Sequence, residues 1–187
     1  EDLTPQDSPR VLQLAFALLY NSLSEEQQAL LAALGIFQRR TFTAPAAAAI
    51  SGKWRQRTEL WLRRVVRRFG AAAAGEQTWT EVEREWTELV RADLNTLRQL
   101  GLLKTTSWKP DRYYLVPSLI ELTHARLGAT EEAVMERAVV YYRAYIQAQQ
   151  GDVATLALER ENILACLRWA YAHEAWDEVI NYALGLD

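Results

Sequence analysis

Cysteine is almost missing from this chain: Cys166 is the only one. A single thiol excludes an internal disulfide framework and leads us to expect a reducing, cytoplasmic setting. Histidine is nearly as scarce. His124 and His173 stand apart, with no cysteine or second histidine at metal-ligand spacing, so no metal centre is expected. Long apolar runs are missing too, and none approaches the roughly 18–20 residues that a membrane span needs. VLQLAFALLY is ten residues long and lacks a basic n-region, which rules it out as a signal peptide. Phosphate-cradling glycine loops are also lacking. ISGKW holds a Gly-Lys pair, but Ala47 stands where the loop needs its first glycine, and Trp54 follows Lys53 where it needs Ser or Thr. No GxGxxG occurs, and no serine has a nucleophile-elbow setting. These absences remove the common membrane, metal and nucleotide-hydrolysis classes. Neither catalytic residues nor a cofactor are expected in this segment.

What is present is ordinary in bulk and uneven in distribution. The chain has 187 residues, half of them hydrophobic, enough for one large domain or two small ones. Residues 1–128 hold 17 Lys/Arg against 14 Asp/Glu, a net of +3, whereas residues 129–187 hold 4 against 10, a net of −6. That asymmetry places a boundary near Gly128, where a helix-terminating glycine is followed by Thr130 as a prospective N-cap. The chain begins at Glu1 and stops inside a helical pattern, so a piece of a longer protein is expected.

Helical periodicity dominates. Residues 9–20 carry Leu12, Phe16 and Leu19 on one face, and Ser24 with Gln27 forms a capping-box pattern before Leu30, Leu31 and Leu34. Thr43, with Pro45 in the first turn, opens a short alanine-rich helix that ends near Ile50. A long helix runs over 78–100 with Trp79, Val82, Trp86, Leu89, Val90, Leu94 and Leu97 as its stripe, and Gly101 stops it. LLKTTSWKPDRYYLV reads as a β-hairpin turning at Pro110-Asp111, and Pro117 opens a helix to about Leu127. Three further helices are expected on the stripes Val134, Ala138, Tyr142, Tyr145, Ile146; then Leu156, Ile163, Leu167, Ala170; then Trp176, Val179, Ile180, Ala183. The fold class is therefore mainly α. It comprises a winged helix-turn-helix domain over 8–128 with a small β-hairpin wing and an inserted or elongated region at about 51–93. The start of a TPR-like α-solenoid follows over 129–187.

Three stretches, in this order, carry a resemblance. YNSLSEEQQALLAALGIFQRRTFTAPAAAAI, with Leu23, Leu31, Leu34, Phe37 and Phe42 at the matching positions, resembles the start of the winged-helix domain of STAND-class signalling NTPases, the NB-ARC or apoptotic-ATPase-like proteins. LRQLGLLK and then RYYLVPSLIELTHARL look like the later elements of that domain. LERENILACLRWAYAHEAWDEVINYALGL, through Glu159, Asn162, Trp169, Ala170 and Trp176, is similar to the segment that opens the helical-repeat sensor of bacterial members. Residues 51–93 depart from the pattern. The resemblance implies a regulatory and scaffold role, coupling a helical sensor to an upstream nucleotide-binding domain that binds ATP or ADP. It also implies partners in that domain, in downstream helical repeats and in other proteins. The family places a phosphate-contacting histidine at the strand-to-helix corner, where this sequence has Val116 between Leu115 and Pro117. An isopropyl group cannot donate to a phosphate, so that contact is expected to be lost.

One feature points elsewhere. Seven Lys/Arg against the single acid Glu59 lie between Lys53 and Arg68, and Arg63, Arg64, Arg67 and Arg68 form an interaction-surface candidate near Trp61 and Phe69. Such a run can track a phosphate backbone, which keeps a DNA-binding winged-helix transcription regulator as one alternative, beside the interaction module of an NTPase-inactive STAND-like scaffold that Val116 would favour. An ordinary solvated helix face is the preferred reading, because Glu81, Glu83, Glu85 and Glu88 make the recognition-helix region acidic. His124, within a helix, reads as a surface or half-buried residue, and Cys166 as core packing. The aromatic tail (Tyr141, Tyr142, Tyr145, Trp169, Tyr171, Trp176) reads as inter-helix core.

Overall fold

A computed structural model describes residues 8–52, 76–108 and 111–186. Helix α1 (Ser8–Ser22) buries Phe16 and lays Leu12 and Leu19 against the core, as the spacing requires, while Val11, Leu14 and Leu18 face outward. Helix α2 (Glu25–Leu34) opens on the expected box. Ser24 Oγ accepts from the Gln27 amide at 3.3 Å, and Gln27 Oε1 accepts from the Ser24 amide at 3.2 Å. A cap of this kind contributes about 1 kcal/mol.

Gly35 ends α2, but not through a left-handed turn: its φ is −56°. A Cβ there would lie 3.0 Å from His124 Cα, so the glycine allows two backbones to meet. The chain then makes a buried 3-10 turn (Gly35–Phe37), whose last two carbonyls are taken by one side chain. Arg40 donates through Nη2 to the Ile36 carbonyl and through Nε to that of Phe37.

A two-residue strand, β1 (Phe42–Thr43), leads into α3 (Ala44–Ile50), capped by Thr43 Oγ1 on the Ala46 amide at 3.4 Å. Every residue of α3 is buried, and it packs against α2, the long helix α4 (Glu76–Gln99) and a helix from the C-terminal half. Small side chains at a hub let several helices approach closely. On α4, Val90, Leu94 and Leu97 are buried and Gly101 stops the helix at φ +73°. Trp79, Val82 and Trp86 fall outside the residues whose side chains are described.

The hairpin is present as β2 (Leu103–Thr105) and β3 (Arg112–Leu115), with Lys104 opposite Tyr114. β3 also pairs with β1, Phe42 opposite Tyr113, giving an antiparallel sheet in the order β1-β3-β2. β1 was not expected from the sequence, because two residues carry no alternation to detect.

The segment after Pro117 corrects the expectation of one helix to Leu127. Pro117–Leu119 is a 3-10 turn, and only Ile120–His124 (α5) is α-helical. Val116 has no side-chain donor or acceptor with which to cap the start, and Leu119 at φ −103° interrupts the helical path. Thr130 takes the expected N-cap position of the next helix, but its side chain makes no capping hydrogen bond. Its hydroxyl donates back to the Leu127 carbonyl at 2.6 Å.

Three antiparallel helices follow: α6 (Glu131–Ala148), α7 (Val153–Ala172) and α8 (Trp176–Leu186), with Gly151 at φ +88° between the first two. Val134, Ala138, Tyr142, Tyr145 and Ile146 are buried as their stripe predicts. On α8 the expectation fails. Trp176 and Ile180 are half exposed and Ala183 is exposed, while Tyr182 and Gly185 face inward. The molecule is thus mainly helical with one small antiparallel sheet. A single buried cluster runs from Phe16 to Tyr182 through the expected boundary at Gly128. Among the described residues, no helix is long and apolar enough to cross a membrane.

Candidate functional site

The densest polar chemistry in the described structure lies where β3 meets α6 and α7. Arg112 opens β3 and is buried, as is Leu115, which three residues on points to the opposite face of the strand. A guanidinium in that position must find partners, since a buried unpaired charge is very costly. It finds them on two sides. Nη1 donates to Glu159 Oε1 at 2.5 Å, Nε to Thr41 Oγ1 at 3.0 Å, and Nη2 to the Thr41 carbonyl at 3.2 Å. Arg112 is 3% exposed and Glu159 2%.

Glu159 and Asn162 are three residues apart on α7 and therefore share a face. The second oxygen of Glu159 accepts from the Tyr142 hydroxyl at 3.0 Å and from Asn162 Nδ2 at 2.7 Å. That same Nδ2 donates to the Thr41 carbonyl at 2.8 Å, so its two acceptors fix which way the amide points. Asn162 Oδ1 is the one buried acceptor of the cluster left without a protein partner.

Electrostatics hold every proton of the group in place. Burial alone would lower the pKa of Arg112, but the hydrogen bond and negative charge of Glu159 outweigh it and raise it above the ordinary value. Burial first, and the Glu159 carboxylate second, push the Tyr142 phenol well above its usual range. Nearby, burial raises the Cys166 thiol to about 12. Neither the arginine nor the phenol exchanges a proton near neutral pH. The cluster is built as a joint between sheet and helices rather than as a proton-transfer centre.

A cleft of about 800 Å³ opens beside the joint, between the start of α3, one face of α4, the tip of β3 and the first turns of α7. A second groove, about 640 Å³, lies between α1 and α5.

The candidates read from the sequence fall in different places. Glu159 and Asn162 sit at the centre of the joint. Val116 lies at the opposite end of β3 from Arg112. Its amide donates to the Leu102 carbonyl at 3.3 Å, its carbonyl accepts from Leu119, and its half-buried side chain packs on the core. Its role in the structure is to carry the sheet into the turn. Arg63, Arg64, Arg67 and Arg68 lie outside the described residues. His124 is partly exposed, with Nε2 3.2 Å from Glu131 Oε1. Cys166 is core, as expected. Tyr141, Tyr142 and Tyr145 are core as well, but Tyr171 and Trp176 are exposed and meet edge to face at 5.4 Å. Arg112, Thr41 and Tyr142 were missed as a group. The one local signal was an arginine opening a strand of otherwise aromatic and aliphatic residues, and nothing near it in sequence names its partners.

Comparison with protein-family models, with curated proteins and with solved structures gives no match for this chain.

Proposed function

We propose that this chain is a regulatory and scaffold module in which a winged-helix unit is locked to the first helices of a TPR-like array, as part of a STAND-type signalling NTPase. The element order supports the winged-helix assignment. Among the described residues, helix α2, strand β1, helix α3, helix α4 and the β2–β3 hairpin come in that order, with the sheet ordered β1-β3-β2, as in a helix-turn-helix core closed by a wing. The observation that carries the coupling role is the Arg112–Glu159–Asn162 joint. It ties the wing strand to the second repeat helix through groups nearly inaccessible to water.

In this reading the module transmits position rather than performing chemistry. A movement of the helical array is passed through a desolvated ion pair to the sheet, and from there to whatever domain packs on the winged helix. Coupling of this sort works as a shift between two packings, each of which must satisfy the buried charges. The upstream nucleotide-binding domain, with its ATP or ADP, and the downstream repeats are the partners that the reading requires.

Two tests bear on it. The reading frame upstream of Glu1 should encode GxxxxGK[ST] followed by an apolar strand ending in Asp-Asp, and a frame without any such pattern would remove the STAND assignment. Calorimetric titration of the chain itself with ATP and ADP should give no heat of binding, whereas micromolar affinity would show that it is no mere coupling segment.

The DNA-binding alternative rests on the basic run at 53–68. The exposed residues of α4 support it poorly: Glu81, Arg84, Glu88, Arg91 and Arg98 mix both signs, and Arg91 pairs with Glu88 at 2.9 Å. A duplex-reading helix presents basic and amide groups outward without such acids.

A further inference from the structure

We infer that the 800 Å³ cleft beside the joint is a binding site for an extended acidic peptide segment carrying two carboxylates three residues apart. Arg84, Thr87, Arg91 and Asn95 are spaced three, four and four residues apart, so one face of α4 supplies one wall of the cleft. This polar stripe shares the cleft with Leu158 and Thr155 of α7, and Arg84 and Arg91 stand exposed at its rim.

Arg84 makes no hydrogen bond or ion pair among the described residues. Among the described residues Arg91 pairs with Glu88, both side chains being more than half exposed. An exposed pair of this kind is weak and exchanges readily. The two arginines are seven residues apart, which sets their Cα atoms about 10 Å apart along the helix axis. A peptide in the polyproline II conformation has three residues per turn and rises about 3.1 Å per residue, so side chains at i and i+3 share one face about 9 Å apart. A Glu-x-x-Glu segment therefore presents its carboxylates at the spacing of the two arginines.

The remaining lining suits the same occupant. Asn95 offers a donor and an acceptor together, which is what a peptide unit requires, and Pro45 and Leu158 give apolar wall for the intervening side chains. Asp111 at the β3 tip carries the opposite sign, so it repels carboxylates from that rim and directs them to α4. The cleft is formed by this chain alone, so binding here is independent of the winged-helix assignment and of any nucleotide-binding domain.

The test is fluorescence anisotropy on the whole chain with a labelled peptide containing Glu-Pro-Pro-Glu. Saturable binding is expected, weakening with salt, and falling by about tenfold or more in the Arg84→Glu/Arg91→Glu double variant, since each lost charge-assisted pair costs several-fold. Arg98→Glu makes a like change of charge elsewhere on α4 and is expected to leave affinity within about twofold. A Lys-Pro-Pro-Lys peptide should recover binding to the double variant, and unchanged far-UV circular dichroism confirms that the variant is folded. A peptide of equal charge with Glu-Pro-Glu spacing should bind several-fold more weakly. Equal affinity for the two spacings, insensitivity to the double variant, or no saturation at millimolar peptide would each overturn the assignment. So would saturation by AMP in place of the peptide, which would make this a small-anion site.

Discussion

Two ion pairs hold the helices of the C-terminal half, one to the sheet and one to each other, and they are built on different terms. Arg112–Glu159 links β3 to α7 with side chains 3% and 2% exposed, and every oxygen of the carboxylate is used. Arg143–Glu178 links α6 to α8 at the same 2.5 Å, but with side chains 17% and 25% exposed and with Glu178 Oε2 left unpartnered by protein. Equal distances conceal unequal roles. In the first pair desolvation makes each partner indispensable to the other, while in the second water softens both the attraction and the loss. The first is a joint, and the second is a brace.

The largest expected effect comes from breaking the joint on one side. Glu159→Ala strands a buried guanidinium and should destabilise the fold by about 3–5 kcal/mol, read as a fall in the urea midpoint. The double change Arg112→Met/Glu159→Leu removes both charges and should be less damaging than Glu159→Ala alone. A double change worse than the single would mean that the pair itself, rather than its balance of charge, holds the sheet.

High pH sharpens the contrast next. Cys166, pushed to about 12, and Tyr142 and Tyr182, both held well above the usual phenol range by burial, are protonated in the folded chain. Unfolded, they ionise near their ordinary values, so raised pKa values give stability that is complete below about pH 9 and is lost as pH climbs toward 12. Thermal melts from pH 8 to 12 should show that decline. In Tyr142→Phe the slope should be shallower, and an unchanged slope would place the titration elsewhere.

A smaller loss, about 1–3 kcal/mol, is expected for Thr41→Val, which leaves Arg112 Nε without its 3.0 Å acceptor. The smallest belongs to the brace. Arg143→Gln should cost roughly 1 kcal/mol or less and should shrink further in salt. Urea titrations of both variants at low and high salt would establish the order, and a cost for Arg143→Gln equal to that of Glu159→Ala would erase the distinction.

Much of the helical framework was legible because its signals are local. The Ser24/Gln27 box, the Thr43 cap with Pro45, and the stops at Gly101 and Gly151 each depend on residues within four positions of one another. What failed was non-local. The stripe expected to bury on α8 contains Trp176 and Ile180, yet Tyr182 is the residue inside, its hydroxyl donating to the Val139 carbonyl at 2.7 Å. Periodicity marks an apolar face without saying which neighbour covers it. The joint was half legible. Glu159 and Asn162 were singled out only through the resemblance to a helical-repeat segment, and Arg112 lies 47 residues from Glu159 and Thr41 lies 121 from Asn162. No pattern within one segment announces a partnership across such separations.

The acceptor at the centre of the joint is the Thr41 carbonyl, approached by Arg112 Nη2 from the sheet and by Asn162 Nδ2 from α7. It is main chain, so no substitution at position 41 short of a backbone rearrangement can delete it. The meeting point of the two halves is therefore buffered against mutational drift at that residue. The side chain can vary at modest cost while the atom that both halves grip is inherited with the backbone.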